Sequence, residues 1–134
     1  MQLHPDSNHT QHQLDTPTHN TQPLLHEIRH ALQHLIDTGE TTIIDLRSIP
    51  LSQTEERQLE QCLGTGEIEC TLNSLGKSTI RETAISGVWL VSHYNLEDEL
   101  MAKSIEITKT PAILPSDTEA MREGLTTIST LLEQ

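Results

Sequence analysis

Residues 80–108 read IRETAISGVWLVSHYNLEDELMAKSIEIT, and no other stretch limits the fold as much. Apolar runs at 88–91 and 105–107 flank an acidic, polar connection at 95–99, and a shorter run at 79–85 precedes Gly87. The spacing predicts three successive strands. Connections this short force neighbours to fold back antiparallel, because a parallel pair needs a crossover of about a dozen residues or more. Every other element must then cover one face of this meander.

Upstream, PLLHEIRHALQHLIDTG repeats Leu25, Ile28, Leu32, Leu35 and Ile36 at helical spacing, with Gly39 as the stop. The β-branched run TTIIDL at 41–46 predicts a strand, with Asp45 and Arg47 on one face and Ile44 and Leu46 on the other. Ser52 and Glu55 form a capping box for a second helix reaching Leu63, released by Gly64 and Gly66. Residues 67–72 alternate Glu67, Glu69 and Thr71 with Ile68, Cys70 and Leu72, the pattern of a half-buried strand. NSLGKST at 73–79 reads as a turn. Its GKST is no phosphate loop, since Thr71 stands where that motif needs glycine and a strand follows instead of a helix. After the meander, Pro111 and Pro115 bracket a connector. Ser116 with Glu119 then predicts the cap of a closing helix whose apolar face is Met121, Leu125, Ile128 and Leu132.

The element order α-β-α-β-β-β-β-α predicts an α+β domain over residues 23–134, two-layered, with three helices packed on a mostly antiparallel five-stranded sheet. Residues 1–22, rich in His, Gln and Thr with three apolar side chains, are expected to be a disordered tail.

Charge narrows the partners. The 134 residues carry a net charge of −12 with only 8 Lys and Arg, and no stretch gathers those into a patch that would hold nucleic acid. No run approaches the ~20 apolar residues of a membrane span, and no export signal is visible, so a soluble cytoplasmic protein is expected. Cys62 and Cys70, without a CxxC spacing, are expected to be reduced and to pack as small buried hydrophobes. Trp89 and Tyr94 are the only aromatic residues, so the core must be built mainly from aliphatic side chains.

There is no nucleophile elbow, HExxH or strand-to-helix glycine loop, so no enzyme and no bound cofactor are predicted. His26, His30 and His34 follow one another at successive turns on one helix face. Two imidazoles a turn apart suit nickel or zinc, but the same stripe is also what a solvated helix face would show. Asp45 and Arg47 read either as a functional pair or as strand decoration. Trp89 and Val91 share the side of their strand opposite Val88 and Leu90, with His93 at its end and Arg81 and Glu82 on the neighbouring strand. Trp89 is either an exposed interface anchor or the one large core residue, because alternation does not say which face the helices cover.

The segment 24–52, LLHEIRHALQHLIDTGETTIIDLRSIPLS, with IRETAISGVWLVSHYN and IEITKTPAILPS, closely resembles the HupH/HyaF family of hydrogenase expression/formation proteins. The resemblance rests on the blocks GExxxIDLRSxPL, RET, GVW and IExTxxP in matching order. Longer members of the family carry a further N-terminal region. The resemblance implies accessory work in making uptake nickel-iron hydrogenases, with a hydrogenase subunit or another maturation protein as partner and no catalytic residues to carry over. It makes Glu40, Asp45, Arg47, Arg81, Glu82, Thr83, Trp89 and His93 candidates for a partner-binding face or for the fold itself. The residues leave a nickel-handling factor using His26, His30 and His34 as the alternative.

Overall fold

In the computed structural model, residues 19–134 are described. Most of the expected tail, His4, His9 and His12 included, lies outside the described residues. Thr21 and Gln22, expected in the tail, instead open the first helix. The elements are α1 (Thr21–Thr38), β1 (Thr42–Asp45), a 3-10 turn (Leu46–Ser48), α2 (Gln53–Leu63), β2 (Glu69–Ser74), β3 (Gly76–Glu82), β4 (Val88–Tyr94), β5 (Leu100–Ile107) and α3 (Thr118–Leu132). Strand order is β1-β5-β4-β3-β2, with every neighbouring pair antiparallel. The α+β class, the three helices and the five-stranded sheet are those predicted.

The meander forms for local reasons. Between β3 and β4, the Thr83 hydroxyl donates to the Val88 carbonyl at 2.8 Å, and Gly87 turns the chain at φ +89°. Between β4 and β5, Asn95 Oδ1 accepts from the backbone N–H groups of Glu97 and Glu99, an Asx-type turn. The β2–β3 connection is shorter than the turn expected at 73–79. Asn73 pairs with Lys77 and Ser74 with Gly76, so most of GKST is strand.

Both faces of the sheet are buried, by different means. On one, Leu24, Ile28, Ala31 and Leu35 of α1 and Leu59 and Leu63 of α2 pack on Ile44, Val88, Leu90, Ile105 and Ile107. Each large aliphatic side chain contributes ~1.5–3 kcal/mol on full burial. Small Ala31 lets α1 sit close, and Ile36, expected in the stripe, is 72% exposed. Ser52 and Glu55 form the predicted capping box of α2. Lys103 Nζ reaches Glu56 at 2.5 Å and Glu60 at 2.8 Å, and Arg81 reaches Glu60 at 3.3 Å, which ties α2 to β5 and β3. Burial alone would lower the Lys103 pKa, but the two carboxylates outweigh it and raise it, so the ammonium stays charged through neutral pH.

On the opposite face, Ile80, Trp89 and Val91 form a second core with Cys70, Leu72 and Leu114. Its roof is the connector after β5, where Pro111 is fully buried and Leu114 packs on the cluster. Cys62 departs from expectation. It is exposed, because its neighbours Leu59 and Leu63 occupy the buried side of α2.

The difference that matters most is α3. Its N-cap is Asp117, whose side chain accepts from the Ala120 N–H, in place of the expected Ser116. The helix buries none of its residues, so two helices cover the sheet and the third stands off it. The connector already occupies the outer face on which a third helix could have packed.

Candidate functional site

An open groove of about 680 Å3 lies at one end of the sheet, where the C-terminal end of α1, the β3–β4 turn and the end of β5 meet. Leu32 and Ile36 form an apolar wall, Gly39 and Gly87 bring backbone to the lining, and Asp37, Glu82 and Lys109 bring two negative charges and one positive. Gly39 is left-handed at φ +79° and donates its N–H to the Leu35 carbonyl, which stops α1 at the rim. A Cβ on Gly87 would lie 3.1 Å from Leu32 Cδ1, so glycine there keeps the groove open against α1. The blocks GE, RET, GVW and IExT all end here: Gly39, Glu82 and Gly87 line the groove, and Thr108 precedes Lys109. Part of that convergence is structural, since Thr83 bonds Val88 and the Trp89 indole N–H donates to the Thr108 carbonyl at 3.1 Å. The lining holds no cysteine or histidine, so no thiol or imidazole is available there as nucleophile or base. Its lining combines apolar side chains with the charged Asp37, Glu82 and Lys109.

The residues expected on a docking face do not share one. Trp89 is only 4% exposed and Val91 is fully buried, which removes Trp89 as an exposed anchor. The physical reason is the connector, which covers the side of β4 that the helices leave open. Arg81 points to the helix side and pairs with Glu60. Asp45 and Arg47 make no charged pair with each other: Asp45 caps the 3-10 turn by accepting from the Arg47 backbone N–H, and the Arg47 guanidinium donates to the Leu100 carbonyl at 2.8 Å. His93 is half-buried on the outer face, its Nδ1 2.7 Å from the Ser78 hydroxyl. Glu82 alone of the seven lines the groove. Leu32, Ile36, Gly87 and Lys109 join the groove without any local motif that marks them as site residues. The family-like blocks GE, RET, GVW and IExT are the sequence signal that marks this end of the sheet.

His26, His30 and His34 are exposed along one face of α1, as their spacing requires. They do not converge with other ligands. His34 Nε2 lies 2.6 Å from Glu40, and among the described residues no group of three or more His, Cys, Asp or Glu side chains is placed to hold a metal ion. Among the described residues, no second element brings the further ligands that a nickel or zinc site demands to this stripe.

Glu106 pairs across the ladder with Trp89 on the outer face. Burial pushes its carboxyl above the ordinary 4.5, opposed by the nearby His93. A carboxyl whose folded pKa is raised favours the folded state below the unfolded value and loses that contribution as pH rises through the folded one. Ionised Glu106 therefore costs stability at neutral pH. Glu106→Gln should raise the melting temperature at pH 7, and the two proteins should converge below pH 4.5, which paired thermal melts at the two pH values would check. An equal gain at both would refute the assignment.

The fold is that of a small acidic α+β domain with an open groove at one end of its sheet. The chain belongs to a known family: residues 18–134 match the model of the HupH hydrogenase expression protein, C-terminal conserved region. It is similar to the hydrogenase expression/formation protein HupQ of Azotobacter chroococcum mcd 1, 30% identical over 94 residues, 69% of this chain and 33% of that protein. The hydrogenase expression/formation protein HupH of Rhizobium leguminosarum bv. viciae is 25% identical over 105 residues, 78% of this chain and 37% of that protein. The chain thus spans about a third of the length of the curated relatives it matches. Among solved structures, the hydrogenase expression protein HupH from Thiobacillus denitrificans ATCC 25259 superposes with a TM-score of 0.84 at 34% identity, over 87% of this chain and 97% of that one. No helix among the described residues is long and apolar enough to cross a membrane.

Proposed function

We propose that this chain is a cytoplasmic accessory protein for the formation of an uptake nickel-iron hydrogenase, and that it works by binding a hydrogenase subunit or another maturation protein. The role is binding, not catalysis. The observation that carries it is the groove, where the blocks resembling the HupH/HyaF family meet around an open apolar wall flanked by Asp37, Glu82 and Lys109. The exposed Ile36, in a groove also lined by Asp37, Glu82 and Lys109, suits an extended segment of a client with an apolar side chain and charged neighbours.

Co-purification with hydrogenase subunits and maturation proteins co-expressed from the native host tests this. The wild-type chain should retain one of them, and Ile36→Glu with Lys109→Glu should reduce recovery by about ten-fold or more while leaving the circular dichroism unchanged. Both side chains are exposed, so the fold does not depend on them. Equal recovery with the folded variant would dismiss the groove, and no complex with any hydrogenase subunit or maturation protein would dismiss the function.

A further inference from the structure

None of the residues of α3 is buried by the described part of the chain. Met121, Leu125, Ile128, Leu131 and Leu132 are all between 55% and 82% exposed. Isolated helices of this length are marginal in water even with good helix formers, and α3 is built from poor ones. It contains Gly124 and the run Thr126, Thr127, Ile128, Ser129, Thr130, where β-branched and hydroxyl side chains lower helix propensity. Thr126, Thr127 and Ser129 also bond back to carbonyls four residues earlier. Such a helix needs packing to persist, and its own domain supplies none.

The apolar positions say what kind of packing. Met121, Leu125, Ile128 and Leu132 are spaced four, three and four apart, which is the alternation of core positions in a two-helix seam. Leu131 and Gly124 flank one side of that seam, and Arg122 and Ser129 the other, by the 100° turn per residue of an α-helix. Glu119 and Glu123 fall on the opposite face, and Glu133 lies outside the seam. A second copy of α3 approaching along this apolar edge would meet no carboxylate within the seam, since Glu119 and Glu123 point away from it. A membrane surface fits it poorly, since the polar face offers Glu where anionic lipid calls for Lys and Arg.

We propose that α3 pairs along this seam with α3 of a second copy, making the protein a homodimer. The four seam side chains and the flanking Leu131 are the apolar surface available on each copy, and covering them on both copies approaches the threshold of about 1,000 Å2 for a specific interface without reaching the size of a permanent one. The dimer is thus concentration-dependent. This pairing uses none of the groove residues, so its failure and that of the binding function are separable.

Sedimentation of the full chain from about 1 to about 100 μM, the range of modest affinities, reads the outcome directly. The apparent mass should climb from 15.0 kDa toward twice that value. Leu125→Glu with Ile128→Glu should hold it at the monomer mass, while Thr130→Glu, on the face away from the seam, should leave the dimer intact. α3 buries nothing in its own domain, so these variants should still fold. A wild-type chain that stays monomeric, with α3 left to another protein, overturns the proposal. So does a dimer that survives the seam substitutions, or one that Thr130→Glu breaks equally.

Discussion

Trp89→Ala should destabilise the domain by ~3–5 kcal/mol, the range for removing a large aromatic side chain from a core. For a domain near 100 residues, the lower figure corresponds to a melting temperature lower by about 12 °C or more. The size of the effect follows from position. Trp89 is 4% exposed, clusters with Ile80, Val91 and Leu114, and ties β4 to the end of β5 through its indole bond to Thr108. Truncation would leave a cavity under a roof made only of the connector, and the Thr108 carbonyl would lose its donor. Trp89→Phe separates the two contributions. It keeps most of the apolar volume and gives up the hydrogen bond, so it should cost about 1–3 kcal/mol, the penalty for a buried group left unsatisfied. Trp89 is the only tryptophan, and melts should therefore be followed by far-UV circular dichroism. A Trp89→Ala protein melting within a few degrees of wild type would mean the outer core holds nothing together.

The same residue shows where the sequence stops informing. Alternation in VWLVSHY defined a strand with Val88 and Leu90 on one side and Trp89 and Val91 on the other. It did not define which side was inside, because both are: one lies under α1 and α2, the other under Pro111 and Leu114. A connector carries no periodicity, so nothing local marked it as a cover. The α3 stripe failed in the complementary way. Its apolar spacing is real, but a stripe looks alike whether it meets its own sheet or another molecule. Signals that depend only on near neighbours were legible: the Ser52–Glu55 box, the Gly39 stop and the short antiparallel connections. The groove was not, since Ile36, Gly87 and Lys109 come together only through tertiary packing. Histidine spacing on α1 was legible as well, but a metal site requires ligands from a second element, and His34 instead meets Glu40.

Gly76→Ala should be the most damaging single-methyl addition in the chain. Gly76 opens β3 at φ +110°, a conformation that side-chain-bearing residues rarely adopt, and its missing Cβ faces the neighbouring strand. A Cβ there would stand 2.1 Å from the Tyr94 carbonyl oxygen and 3.1 Å from the Asn95 carbonyl carbon. These are backbone atoms, which cannot rotate away as a side chain would. Tyr94 is also where the β4–β5 register slips, so relief must come from parting the β2–β3 hairpin from β4. Strain of one unfavourable backbone conformation is about 1–3 kcal/mol, and the clash adds to it, giving an expected loss of ~3 kcal/mol or more. Gly39→Ala is the control. Gly39 is also left-handed, at φ +79°, but nothing lies within 4 Å of its missing Cβ, so it should lose only ~1–2 kcal/mol from backbone strain. Urea midpoints for the two variants distinguish close approach from dihedral strain. If both fall equally, the tight passage between Gly76 and Tyr94 contributes nothing, and the β2–β3 hairpin is held by its ladder alone.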